Sequence, residues 1–320
     1  MVDQEPDAGR RPFRFGVLSF GASSGAEWRE LARRAEALGY ATLSVDEHMD
    51  RALAPIPAML SAAEATERLR VGSCVVANDF RHPTLLAKEI ATIDVLSGGR
   101  VEFGLGTGYA PVDYEQAGVQ LDPAGVRVAR LEEAVRLLKS AFTGNPVTFA
   151  GEHYRVRDFE LMPPPVQRPR PPLLIGGGSR RILSLAGRDA DIVGLNVRTT
   201  PDGGMDFASL SPEATAEKMT WVRLAAGERL ANLEIQLLAS RTAVTDTPRR
   251  VAEEMRAAWR MGDETSVADV LATPHTLIGS VDAIVDKLRE TRERFAVSYV
   301  TVLEPAMDVF APVVARLAGQ

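Results

Sequence analysis

Residues 70–105 read RVGSCVVANDFRHPTLLAKEIATIDVLSGGRVEFGL, and this stretch decides the fold. The run 70–77 is short, apolar and rich in valine, which is the pattern of a strand buried on both faces. Pro83 suits the first position of a helix, where its missing N–H costs nothing. Apolar residues then recur at helical spacing over 84–96, and Gly98-Gly99 stops the helix. Residues 100–105 form a second apolar strand. A strand, a helix and a second strand in one continuous segment make a βαβ unit, which requires a parallel sheet.

The same rhythm extends outward in both directions. Upstream lie a strand over 13–19, a helix over 26–38 that stops at Gly39, a strand over 40–45 and a helix over 57–67. Downstream, a long helix covers 126–142, and polar, turn-prone residues fill the gap before it. Two short β runs, 147–149 and 154–156, flank Gly151 as a hairpin excursion. Residues 163–172 are too rich in proline for helix or central strand. The alternation then resumes with strands over 172–175, 191–195, 233–239 and 297–303. Helices fall over 180–187, 212–226, 248–261, 281–294 and 309–317. Eight strands alternating with helices predict an α/β fold, a single (β/α)8 TIM barrel over 13–318. The hairpin and proline-rich segment form a small insertion near 147–172, and residues 1–12 are a polar tail. A barrel of this kind carries its active site at the C-terminal ends of its strands.

Composition narrows the function classes. The 320 residues are 45% hydrophobic and 25% charged, and 37 basic residues against 43 acidic ones leave a net charge of −6. Basic residues are scattered among acids, which argues against nucleic acid as a partner. No apolar run is long enough to span a membrane, and the N-terminal residues lack the apolar core of a signal peptide. Cys74 is the single cysteine, so an intramolecular disulfide and cysteine-rich zinc modules are excluded. These features together predict a cytoplasmic protein.

Five motifs lie where strands are predicted to end. Gly21-Ala-Ser23-Ser-Gly25 matches the nucleophile elbow G-x-S-x-G, but only one strand precedes it, and a flexible βα loop explains it equally. Gly104-Leu-Gly106-Thr107-Gly108 invites a dinucleotide reading, yet Tyr109 stands where the fingerprint needs its third glycine and no helix opens at once. Small residues there still let a flat ring approach the backbone. Gly176-Gly177-Gly178-Ser179 ends a strand and opens a helix, so its N–H groups and the Ser179 hydroxyl suit a phosphate; a ligand-free glycine turn is the bland alternative. Asp46-Glu47-His48 places an imidazole, the side chain best suited to proton exchange near neutral pH, beside two acids; a purely structural histidine is the competing reading. Arg81-His82-Pro83 is explained by a helix start, with Asn78 and Asp79 open as polar contacts. The four histidines show no metal-ligand spacing, so no metal site is expected.

The assembled pieces resemble the luciferase-like flavin and coenzyme F420-dependent oxidoreductases. FRFGVLSF at the first strand, DEH after the second, the block VGSCVVANDFRHPTLLAKEIATIDVLSGGR, then FGLGTGY, PPLLIGGG and LIGSVDAIVDKLRE carry the likeness, and its F420-dependent subgroup is the nearest. The resemblance implies a barrel, usually dimeric, with a flavin or deazaflavin ring at the strand ends. It implies a non-prolyl cis peptide at Cys74–Val75 behind the ring, the ring and ribityl side along Gly106, Thr107 and Gly108, and Asn78 nearby. It places the cofactor phosphate on Gly176, Gly177, Gly178 and Ser179. The family's Asp-His pair falls on Glu47 and His48, the expected catalytic residues, and Glu47 departs from it by one methylene. The first function implied is F420-dependent hydride transfer to or from a small organic substrate. The alternative is oxygen insertion with FMNH2 from a partner reductase, and a third reading is a non-catalytic barrel that binds a flavin or a partner. Arg180, Arg181 and Arg198 are placed for the acidic tail of F420, and the pocket wall is expected from 147–172 and 199–210.

Overall fold

Strands that are apolar on both faces have to be covered on both, and a closed barrel with an outer ring of helices does so. The computed structural model describes residues 11–200, 203–259, 261 and 265–320. Its main sheet contains β1 (Arg14–Ser19), β2 (Thr42–Val45), β3 (Arg70–Ser73), β4 (Val101–Gly106), β5 (Leu173–Gly177), β6 (Ile192–Leu195), β7 (Glu234–Ala239) and β8 (Val297–Leu303). Each strand pairs in parallel with its sequence neighbours, β8 returns to β1, and Val71 opposite Val101 joins β3 to β4. The fold is therefore a (β/α)8 TIM barrel. The expected tail lies outside the described residues over 1–10, as do residues 260 and 201–202 of the expected 248–261 helix and 199–210 wall. Among the described residues, no helix is long and apolar enough to cross a membrane.

The N-terminal ends of the strands are closed by an ionic plug. Glu102 at the start of β4 accepts hydrogen bonds from Arg14 Nη1 (2.9 Å) and Tyr299 OH (2.8 Å), and Arg70 Nε lies 3.4 Å away. Arg14 also grips Glu234 through Nε and Nη2, both at 2.7 Å, and its guanidinium lies 3.6 Å above the Tyr299 ring. Burial works against the charge on Glu102, but Arg14, Arg70 and Tyr299 outweigh it and hold the carboxyl below its ordinary range. In barrels this face serves stability.

The insertion forms as expected, with Val147–Ala150 antiparallel to Arg155–Phe159. It is fixed from below: Glu133 accepts the N–H groups of Glu152 (2.8 Å), His153 (3.0 Å) and Tyr154 (3.2 Å). The proline-rich stretch is pinned by the buried Asp94, whose two oxygens accept from Gln167 N and Nε2. Several elements depart from the sequence reading. The gap before the long helix contains a short helix, Pro111–Ala117, and two more elements follow β7: a helix at Val267–Ala272 and a parallel pair, Arg241–Val244 with Thr276–Gly279.

Candidate active site

The C-terminal ends of β2, β3, β4 and β5, neighbours around the barrel, carry the residues expected at the site. Between β3 and the helix Pro83–Leu96 the chain is compressed. The Cys74–Val75 peptide is cis, as the resemblance implies, and it turns Val75 toward β4. A Cβ on Gly104 would meet the Ser73 carbonyl oxygen at 2.3 Å, and one on Gly106 would meet Val75 Cγ2 at 2.6 Å. The missing side chains of these two glycines therefore make room for Ser73 and Val75. Gly104→Ala should cost about 1–3 kcal/mol of stability through overpacking, read by urea unfolding; an unchanged midpoint would contradict this packing. Burial, with the charges of Asp46 and Glu102, pushes the Cys74 thiol up to about 12, so it remains a thiol.

Glu47 and His48 are adjacent in sequence but point to different partners. Glu47 accepts the Ala77 N–H at 2.8 Å and forms an ion pair with Arg81, which ties the end of β2 to the segment after β3. His48 turns instead to Asp113 on the short helix after β4. Its Nδ1 lies 2.6 Å from Asp113 Oδ2, while Asp113 Oδ1 accepts the Met49 N–H at 2.9 Å. Tyr109 meets the imidazole edge-on, with centroids 5.7 Å apart and planes at 86°. Asp46 is gripped through both oxygens by Arg51 Nε (3.2 and 3.0 Å). Burial raises its carboxyl above the ordinary value, against the opposing pull of Arg51 and His48.

Beyond β3, Asn78 is buried and donates to Tyr154 OH at 3.0 Å, so the insertion leans on the site's edge. Asp79 Oδ2 takes Tyr114 OH (3.0 Å) and Arg130 Nη1 (2.9 Å). Tyr114 OH also lies 3.0 Å from the carbonyl oxygen of Thr107, and Arg127 bonds the Gly108 carbonyl. Thr107, Gly108 and Tyr109 are half-buried at this rim. His82 caps the helix Pro83–Leu96 through Thr84 N (3.3 Å), as a helix start requires. Ser23 bonds Glu27 Oε2 at 2.5 Å on an exposed turn, which is the arrangement of a helix start and not of a nucleophile elbow.

At the end of β5, Ser179 is the N-cap of the helix Arg180–Asp189, and its side chain makes no cap hydrogen bond. The other serine N-caps, Ser24, Ser211, Ser266 and Ser280, each accept a first-turn N–H at 3.1–3.2 Å. The hydroxyl and the first-turn N–H groups of this one helix are thus available to an anion. Gly178 packs against the Val197–Arg198 backbone, where a Cβ would stand 2.5 Å from three atoms. Of the arginines expected at the mouth, Arg181 pairs with Glu132 (2.8 Å) and Arg198 with Asp206 (2.6 Å). Arg180 is exposed and has no partner among the described residues. Lys218 is buried and ties the end of β6 to the 207–210 segment, donating to the carbonyls of Asn196 (2.7 Å) and Ser209 (2.6 Å). Burial, then the charge of Arg198, lowers its ammonium to about 8.

Sequence reasoning missed Asp113. Its signal was slight: Pro111 as a helix-opening residue and Asp113 two positions on, in the first turn.

Comparison with known proteins gives the family of the chain. The family model described as luciferase-like monooxygenase matches residues 12–298. An FMNH2-dependent dimethylsulfone monooxygenase of Pseudomonas putida is 35% identical over 127 residues, covering 40% of this chain and 35% of that protein. An F420-dependent glucose-6-phosphate dehydrogenase of Microbacterium testaceum is 31% identical over 189 residues, covering 56% of this chain and 55% of the relative. The chain thus spans about a third to a half of the length of these relatives. The 4-hydroxyprotoasukamycin monooxygenase of Streptomyces nodosus subsp. asukaensis is 27% identical and covers 83% of this chain and 77% of that protein. Among solved structures, the coenzyme F420-dependent tetrahydromethanopterin reductase of Methanopyrus kandleri superposes with a TM-score of 0.76 at 18% identity, covering 96% of this chain and all of that one, which supports the fold.

Proposed function

Since the chain belongs to the luciferase-like monooxygenase family, we propose that the mouth over β2 to β5 holds a flavin-type cofactor and that the protein is an F420-dependent oxidoreductase acting on a small organic substrate. The observation that carries this reading is His48, an imidazole at the end of β2 whose second nitrogen, Nε2, has no hydrogen-bond partner among the described residues. Its nearest charged neighbour there is Asp46 Oδ2, at 3.9 Å. Hydride transfer at a C–O centre needs a proton partner for the oxygen, and an imidazole supplies it near neutral pH. When bound, F420 supplies a deazaflavin ring that accepts or gives up hydride.

The remaining roles belong to the chain. Gly176, Gly177, Gly178 and Ser179, with the first-turn N–H groups of Arg180–Asp189, hold the cofactor phosphate by helix-end charge and hydrogen bonding. The uncapped Ser179 hydroxyl is the feature that fits that group. Cys74, Val75 and Asn78 back the ring, and Gly106, Thr107 and Gly108 line its edge. Arg180 faces the acidic tail. Glu47 fixes the β2 and β3 ends relative to one another through Ala77 and Arg81, and so shapes the site without exchanging protons.

Ser179→Ala tests the phosphate site. Removing a hydrogen bond to a charged group costs about 1.5–3 kcal/mol, so F420 affinity should fall about 10- to 100-fold in calorimetry. Unchanged affinity would place the phosphate elsewhere.

A second reading, FMNH2-dependent oxygen insertion with a separate reductase, is favoured by the 35% identity to the dimethylsulfone monooxygenase segment. The same pocket would then need only to orient the substrate and exclude water.

A further inference from the structure

We infer that Asp113 is a positioning residue that fixes the tautomer of His48, protonated on Nδ1, so that Nε2 carries the lone pair that faces the site. The inference deepens the proposed function and rests on His48 being its proton-exchanging group.

The tautomer follows from which atoms can donate. The Met49 backbone N–H can only donate, so Asp113 Oδ1, at 2.9 Å, is an acceptor. That bond fixes the plane of the carboxylate and leaves Oδ2 directed at His48 Nδ1, 2.6 Å away. A carboxylate offers no proton, so Nδ1 has to carry one. In the neutral imidazole only one nitrogen is protonated, and Nε2 is then left as the acceptor.

The surroundings keep that state in place. Asp113 is buried, in the first turn of Pro111–Ala117, where the helix favours a negative charge. Tyr109 stands edge-on to the ring and opposes a flip that would exchange the two nitrogens. Asp46 does not compete for Nε2: its nearer oxygen is 3.9 Å away, beyond hydrogen bonding, and Arg51 holds both its oxygens. The group that orients the imidazole thus comes from the loop after β4, not from the acids beside it in sequence. One consequence is that Asp113 need not touch substrate or cofactor to affect the reaction.

The test uses the cofactor-free full chain labelled with 15N in its histidines. Long-range 1H–15N correlation at a pH where the imidazole is neutral shows which nitrogen is protonated, and loss of one of the four histidine patterns in His48→Gln assigns His48. The expected wild-type pattern has a protonated Nδ1 and an unprotonated Nε2. In Asp113→Asn the amide can donate as well as accept, so the pattern should shift toward the opposite tautomer. Single-turnover reduction of F420, by the best donor in a panel of small alcohols, should slow at least tenfold while F420 affinity stays within about twofold. A wild-type pattern with protonated Nε2, or an Asp113→Asn pattern unchanged from wild type, overturns the inference. The wild-type spectrum decides it even if Asp113→Asn fails to fold. If the tautomer is as expected but His48→Gln leaves turnover unchanged, the fault lies with the proton-exchange reading and not with Asp113.

Discussion

His48→Gln should reduce the rate of the hydride-transfer step about 100- to 10,000-fold, the range by which a positioned acid or base speeds a reaction. Glutamine keeps a polar side chain of similar reach and can still donate to Asp113 through its amide N–H, so the Asp113 helix and the Met49 contact should survive. Cofactor affinity should change no more than a few-fold, because the proposed phosphate site is at the end of β5. The check is paired: single-turnover reduction of F420 for the rate, calorimetry for the affinity. A large loss of affinity with an unchanged single-turnover rate would make His48 a binding residue. A loss of less than tenfold would remove it from the chemistry.

The second large effect concerns stability. Glu102→Ala should lower the unfolding free energy by about 3–5 kcal/mol, because removing one partner of a buried ion pair leaves charge uncompensated. Arg14 would retain Glu234, but Arg70 and the Tyr299 hydroxyl would lose the carboxylate at the centre of the plug. The carboxyl's folded pKa is depressed below its ordinary 4.5. Its contribution is therefore fully present above about pH 4.5, and is lost as pH falls through the lower folded value. Urea unfolding at neutral pH and at successively lower pH should show wild type losing stability over that acid range. Glu102→Gln should lose less over the same range, since it has no proton to take up. Equal acid sensitivity of the two would mean that Glu102 does not drive acid unfolding.

The barrel was legible because each of its eight strands lies in a short, mostly apolar run and the helices between them carry periodic apolar stripes. The run 70–77 became β3 and the turn at Cys74–Val75, and the helix stop at Gly98-Gly99 falls just past Leu96. The site was legible as positions along the chain and less so as pairings. Proximity in sequence set Glu47 beside His48 as a pair, whereas successive residues of an extended segment face opposite ways, and Glu47 reaches Ala77 and Arg81 instead. Asp113 escaped notice because Pro111–Ala117 makes only two turns, too few for a hydrophobic period to emerge. The Arg241–Val244 and Thr276–Gly279 pair escaped for a related reason: each is four residues long, and the first is exposed or half-buried along its length. At Gly104 and Gly106 of β4, the space a side chain would fill is taken by Ser73 and Val75. Sequence shows that a side chain is missing, and only the fold shows what occupies the gap.

Whether the mouth over β2 to β5 is specific for F420 is decided by titrating the apo-protein with F420 and with FMN, each oxidised and reduced, in parallel calorimetry. Tight F420 binding and weak FMN binding are expected. Preference for reduced FMN would contradict that specificity in favour of the oxygen-inserting reading, and binding of neither would contradict both.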